Sequence, residues 1–90
     1  MMAMQKQTII VDGQYQPAVV KFQQGQPAQL TFVRTSDRGC LQQVQSQSLG
    51  FKLDLALNEP QTVTIATEQA GTYDFACGMD MVHGKVVIEP

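Results

Sequence analysis

The sequence is poor in the residues from which many functional sites are built. It contains no tryptophan, one histidine, two cysteines and only six lysine or arginine residues among 90. The basic residues are scattered rather than clustered, so we expect no nucleic-acid partner. The single histidine has no evident acid–base partner in the sequence and no nucleophile motif is present, so we expect no enzymatic activity.

Long apolar runs are also missing. The longest are a few residues, such as Ile9–Val11, whereas a transmembrane helix needs about 20. The N-terminal stretch Met1–Lys6 lacks the apolar core of a signal peptide. We therefore predict a cytoplasmic chain with no transmembrane segment. Its parent protein could still be membrane-anchored if the chain is one part of a transporter.

The apolar content is nevertheless sufficient for a folded domain. Apolar residues make up 43% of the chain, an ordinary share for a globular protein and too high for a disordered one. At this length we predict one domain over residues 1–90, with residues 1–7 as a flexible N-terminus.

The apolar pattern is typical of an all-β protein. Short extended runs alternate with turn residues, and no window of ten or more residues has a helical period. Residues 41–49 fit either a short strand or a helical turn, and Pro17 marks a strand edge or a bulge. This pattern predicts a small sandwich or barrel. The predicted strands are Thr8–Val11, Tyr15–Phe22, Leu30–Arg34, Leu53–Leu57, Val63–Ile65, Tyr73–Cys77 and Lys85–Glu89.

The most informative segment follows the strand that ends at Cys77. Cys77, Met79 and Met81 place three sulfur atoms at a spacing of two, in a loop flanked by Gly78 and Gly84. A single methionine would more often be a packing residue, but two beside a cysteine in a polar loop favour a metal site. Thiolate and thioether are soft donors, and among the common biological metals they select Cu(I).

Cys40 is a candidate second thiolate. It lies in a polar loop, and it could instead be a small buried apolar residue or form a disulfide with Cys77. His83 is a possible ligand, although a lone histidine beside glycine is more often a surface group. Cys40, Cys77 and His83 could form part of a zinc site, but no fourth ligand is evident.

With these residues the chain resembles the cupredoxin superfamily, and more closely the Cu(I)-binding domains of bacterial copper chaperones and copper-transporting P-type ATPases. The resemblance runs from about Ile9 to Glu89. It implies a Greek-key β-sandwich. The segments that carry it are Phe32–Thr35, Gly39–Cys40, Ala70–Phe75 and Cys77–Met81.

The resemblance also implies a metal site and a partner. Cys40 stands where electron-transfer cupredoxins have their first histidine, and Met79 and Met81 stand where the second is expected. By resemblance, the two cysteines form a tight Cu(I) site and the two methionines form or share a weaker one, for one or two copper ions. The implied function is a copper chaperone or metal-acceptor domain in copper homeostasis or export. Its partner would be a copper-exporting P-type ATPase or another copper carrier.

Two other functions stay open at this point. One is an electron-transfer cupredoxin that uses Cys77 and His83. The other is a β-sandwich interaction module stapled by a disulfide between Cys40 and Cys77.

Overall fold

The computed structural model describes residues 4–36, 42–77 and 82–90, and within them every regular element is a strand. Cys40, Met79 and Met81 lie outside the described residues. The strands are β1 (Gln5–Val11), β2 (Tyr15–Gln16), β3 (Val19–Gln23), β4 (Ala28–Arg34), β5 (Gln43–Ser46), β6 (Phe51–Asp54), β7 (Gln61–Ile65), β8 (Gly71–Cys77) and β9 (His83–Glu89).

The strands form two sheets that pack face to face. The first sheet has the order β2-β1-β4-β7 and the second has the order β3-β9-β8-β5-β6. The pairs β1/β4 and β3/β9 are parallel, and the remaining pairs are antiparallel. The predicted all-β sandwich is therefore confirmed. The ambiguous segment 41–49 contributes β5, which pairs with both β6 and β8.

The predicted strand Tyr15–Phe22 is divided in the structure. Its first part, β2, pairs with β1 in the first sheet, and its second part, β3, pairs with β9 in the second sheet. Pro17 lies between the two parts. Because proline has no amide hydrogen to donate to a strand ladder, the chain changes sheets there.

The N-terminal boundary also differs from the prediction. β1 begins at Gln5, inside the segment 1–7 for which we expected a flexible terminus. Gln5 pairs with Ala28 of β4. Its side-chain amide also exchanges two hydrogen bonds with the main chain of Gln23, of 2.7 and 3.1 Å. These contacts make residues 5–7 part of the first sheet.

The segment after β6 connects the two sheets. The alternating leucines predicted one strand over Leu53–Leu57, but β6 ends at Asp54. The side chain of Leu55 is buried, whereas Leu57 is 46% exposed and forms a bridge with Arg34 at the end of β4. We call residues 55–58 the crossing segment, because they lead from the second sheet to the first.

The centre of the core is a group of aromatic rings. Phe75 of β8 lies edge-to-face against Tyr15 and Phe32 of the first sheet, with ring centroids 4.9 and 5.4 Å apart. Pairs of this geometry stabilise a core beyond the area they bury. Phe75 therefore joins the two sheets.

Gly84 makes room for this ring. Gly84 is buried and lies directly opposite Phe75 in the β8/β9 register. A Cβ atom at Gly84 would overlap the Phe75 ring and would lie 2.8 Å from the main-chain oxygen of Ala18. Since main-chain atoms cannot rotate away, only glycine fits at this position.

We therefore predict that Gly84→Ala lowers the free energy of unfolding by about 1–3 kcal/mol, the usual cost of overpacking a core. Equilibrium unfolding in urea measures this change. Lys85→Ala is the matched control, because Lys85 is the next residue and is exposed; it should change stability by less than about 0.5 kcal/mol. Equal stability of Gly84→Ala and the parent protein would contradict the packing argument.

Candidate metal-binding site

Four strand termini meet at one end of the sandwich. β4 ends at Arg34 and β8 ends at Cys77, while β5 and β9 begin at Gln43 and His83. β5 and β8 are antiparallel neighbours in which Val44 lies opposite Cys77. The connections β4–β5 and β8–β9 therefore leave the sandwich at the same end. Cys40 belongs to the first connection, and Met79 and Met81 belong to the second.

Cys77 is the predicted ligand whose surroundings the structure describes. It is the last residue of β8 and is 0% exposed. Its side chain belongs to the hydrophobic core, on the same face of β8 as Phe75. Its amide donates a hydrogen bond of 3.0 Å to the carbonyl oxygen of Val82. The predicted strand Tyr73–Cys77 is thus confirmed, and its three alternate residues Tyr73, Phe75 and Cys77 share one face of β8.

Three predicted ligands lie in the two connections at this end of the sandwich. Cys40 falls within residues 37–41 and Met79 and Met81 fall within residues 78–81, all outside the described residues. Within residues 4–36, 42–77 and 82–90, no group of three His, Cys, Asp or Glu side chains is arranged to hold a metal ion. Cys40, Met79 and Met81 remain predictions.

His83 is directed away from Cys77. It is exposed, and it lies opposite Ala76 in the β8/β9 register. Directly opposed residues share a face of the sheet, and Ala76 and Cys77 are consecutive, so they point to opposite faces. The imidazole of His83 therefore leaves the outer face of the second sheet, whereas Cys77 points into the sandwich.

Arg34 is a residue at this end whose role the sequence did not reveal. It is only 8% exposed, and its Nη1 donates a hydrogen bond of 3.1 Å to the carbonyl oxygen of Leu55. Its Nε has no hydrogen-bond partner among the described residues. The sequence does contain one indication that Arg34 is buried. Arg34 continues the alternation of the inward-facing residues Leu30 and Phe32 along β4. A charged residue at an inward position of a strand needs a specific reason.

A separate groove lies on the second sheet. Its volume is about 930 Å³, and Cys77 and His83 do not line it. Polar side chains of the β5–β6 hairpin form much of its wall, together with Asp74. We therefore place the candidate site at the strand termini and not in this groove.

Comparison with protein families gives a match over nearly the whole chain. Residues 2–88 match the family described as Cupredoxin-like domain. No curated protein matches the chain significantly. No helix in the described part of the chain is long and apolar enough to cross a membrane.

Solved structures with the same fold include two copper proteins above 25% identity. One is a copper binding protein solved by NMR in its apo form, with 36% identity, a TM-score of 0.88, and coverage of 96% of this chain and 88% of that one. The second is the metal-binding domain of the Cu(I)-exporting P-type ATPase CopA of Streptococcus pneumoniae D39, crystallised with Cu(I). It has 26% identity and a TM-score of 0.89, and the match covers 97% of this chain and 87% of that one.

A more distant solved structure also has this fold. Reduced auracyanin from Roseiflexus castenholzii has 15% identity and a TM-score of 0.70, with coverage of 94% of this chain and 97% of that one. At this identity the likeness supports the fold alone.

Proposed function

The chain belongs to the cupredoxin-like domain family, and on that premise we propose that it binds Cu(I) through sulfur and passes it to a partner. The observation that carries this proposal is the position of Cys77. Its thiol points into the end of the sandwich, next to the strand that follows the Cys40 connection, while the lone histidine points to the opposite face.

The donor set supports copper in its reduced state. Thiolate and thioether sulfur are soft ligands that favour Cu(I). Cys77 and Val82 are hydrogen-bonded to each other, and residues 78–81 connect them. Met79 is two residues from Cys77 and Met81 adjoins Val82. Two thioethers thus belong to the four-residue connection between Cys77 and Val82, and we propose that they take part in binding the ion.

An electron-transfer role is less compatible with the chain. Blue-copper sites use two histidines and one cysteine with a weak axial ligand. The sequence has one histidine in total, so a single chain cannot supply that set. His83 also faces away from Cys77. A sulfur-only site keeps copper reduced, which suits holding and transfer rather than redox cycling.

The burial of Cys77 suggests how copper would be released. A fully buried thiol cannot be reached directly by the ligand of another protein. Neutral thioethers in the adjoining connection could bind the ion as it leaves the thiolates. We therefore propose that Cys40 and Cys77 retain one Cu(I), and that Met79 and Met81 assist its exchange and hold any second ion.

The proposed setting is copper export. The CopA domain that this chain resembles belongs to a Cu(I)-exporting ATPase, and a similar ATPase or another copper carrier is the proposed partner. We propose a cytoplasmic location and a non-enzymatic role, because Cu(I) held by thiolates requires a reducing compartment.

The cysteine pair gives the most direct mutational test. Cys77→Ala and Cys40→Ser should each abolish tight Cu(I) binding, because a two-thiolate site needs both sulfurs. Alanine is preferred at Cys77, since serine would bury a hydroxyl group in the core. Anaerobic titration against a chromogenic Cu(I) chelator measures the affinity.

The control for Cys77→Ala is Val86→Ala, which removes buried volume from β9 at a distance from the strand termini. It should lower stability and leave Cu(I) affinity unchanged. Parent-like binding by Cys40→Ser would contradict the two-thiolate site. A parent protein that carries no reactive thiols under native redox conditions, and binds no copper, would indicate the disulfide-stapled alternative.

His83→Ala should change Cu(I) affinity by less than about threefold, equivalent to roughly 0.7 kcal/mol. The reason is that its imidazole lies on the outer face of the second sheet. The same chelator competition provides the measurement. A loss as large as that of Cys77→Ala would make His83 a ligand and restore the electron-transfer hypothesis.

The double variant Met79→Leu/Met81→Leu should keep one tightly bound Cu(I), lose any second ion and transfer copper more slowly to an acceptor. The fold should survive, because leucine and methionine usually exchange at a cost below about 1.5 kcal/mol. Copper stoichiometry and transfer rate are measured on one preparation. Met4→Leu is the matched control, since Met4 is exposed and precedes β1. If the double variant matches Met4→Leu in both measurements, the two methionines are ordinary packing residues.

A further inference from the structure

We infer that Arg34 is a positioning residue for the copper site, which it serves by fixing both ends of the connection that carries Cys40. This inference rests on the proposed Cu(I) function. Arg34 ends β4, and the connection that follows it enters β5 after Gln42.

The side chain of Arg34 and the main chain of Gln42 bind the same residue. Arg34 Nη1 donates to the carbonyl oxygen of Leu55 at 3.1 Å, and the amide of Leu55 donates to the carbonyl oxygen of Gln42 at 2.7 Å. Leu55 is buried. The start and the end of the Cys40 connection are thus linked through one residue of the crossing segment.

Further hydrogen bonds hold the residues at the start of the connection, Arg34 to Ser36, in place. The amide of Asn58 donates to the carbonyl oxygen of Arg34 at 2.7 Å, and the amide of Thr35 donates to that of Val11 at 3.0 Å. Ser36 Oγ donates to Asp12 Oδ1 at 2.6 Å. These bonds fix the backbone as far as Ser36, while the guanidinium is the side-chain link across to Leu55.

The end of the connection is in turn fixed relative to Cys77. Gln42 precedes β5, and two residues later Val44 lies opposite Cys77. The contacts therefore run from Arg34 through Leu55 and Gln42 to the strand beside Cys77. A displacement at Arg34 would therefore act through Leu55 on Gln42 and on the start of β5 beside Cys77.

The choice of arginine at this position supports a role beyond stability. Burying a guanidinium costs desolvation free energy, and an apolar side chain of similar volume is often as stabilising or more so. Within the described residues Arg34 has one side-chain hydrogen bond and no carboxylate partner. We therefore expect Arg34 to contribute to the geometry of the copper site. A site that is already ordered has a smaller entropic cost when it binds its ligand.

The test compares Arg34→Met and Arg34→Lys with the parent protein in anaerobic Cu(I) competition. Methionine keeps apolar volume but cannot donate to Leu55, so Cu(I) affinity should fall about tenfold, equivalent to about 1.4 kcal/mol. Lysine keeps one donor and should restore most of the affinity. Urea unfolding of each apo protein identifies any variant that does not fold. Lys52→Met is the matched control, because Lys52 is an exposed cation on β6 near Leu55, and it should bind like the parent.

A second measurement decides the matter even if Arg34→Met does not fold. In the parent protein, one equivalent of Cu(I) should shift the NMR signals of the Arg34 guanidinium nitrogens and the Leu55 carbonyl carbon, and leave the Lys52 side-chain signal unchanged. The role of Arg34 would be overturned if a folded Arg34→Met bound Cu(I) like the parent, or if the Arg34 and Leu55 signals did not move. Either result would leave the proposed Cu(I) function unaffected. Failure of the parent itself to bind Cu(I) would instead overturn the proposed function.

Discussion

The packing of Phe75 against the first sheet is the interaction on which the candidate site depends. Phe75 contacts Tyr15 and Phe32 across the sandwich, and Gly84 in the neighbouring strand leaves the space for its ring. Because successive strand residues point to opposite faces, an inward Phe75 requires an inward Cys77 and an outward Ala76. His83, which lies opposite Ala76, is turned outward by the same constraint.

The same constraint decides which side chain of β8 is available to the candidate site. The strands direct Cys77 into the end of the sandwich, and we propose that the two connections supply the remaining donors. In this chain the strand residue is a cysteine and the sequence of the two connections offers one further cysteine and two methionines. Sulfur in place of imidazole favours Cu(I) and disfavours a redox cycle, which is why we propose a copper carrier rather than an electron carrier.

The parts predictable from sequence are those set by local periodicity. Alternation along Tyr73, Phe75 and Cys77 predicted the strand that became β8, since a period of two needs no tertiary information, whereas the inward direction of Cys77 is known only from the packing of Phe75. The division of the Tyr15–Phe22 run and the pairing of Gln5 with Ala28 depend on contacts between distant segments, which periodicity does not contain. Arg34 was visible as a charge at an inward position, but its link to Leu55 depends on where the crossing segment passes. Cys40, Met79 and Met81 remain sequence predictions, because they lie outside the described residues.

We propose that copper is held as Cu(I) by sulfur alone, and X-ray absorption at the copper edge is the decisive test of this ligand set. The spectrum of the anaerobically loaded protein reports the oxidation state from the edge position and the ligand atoms from the first coordination shell. We expect Cu(I) with sulfur neighbours and no imidazole scattering. A shell that contains the nitrogen of His83, together with an intense visible charge-transfer band after addition of Cu(II), would contradict it.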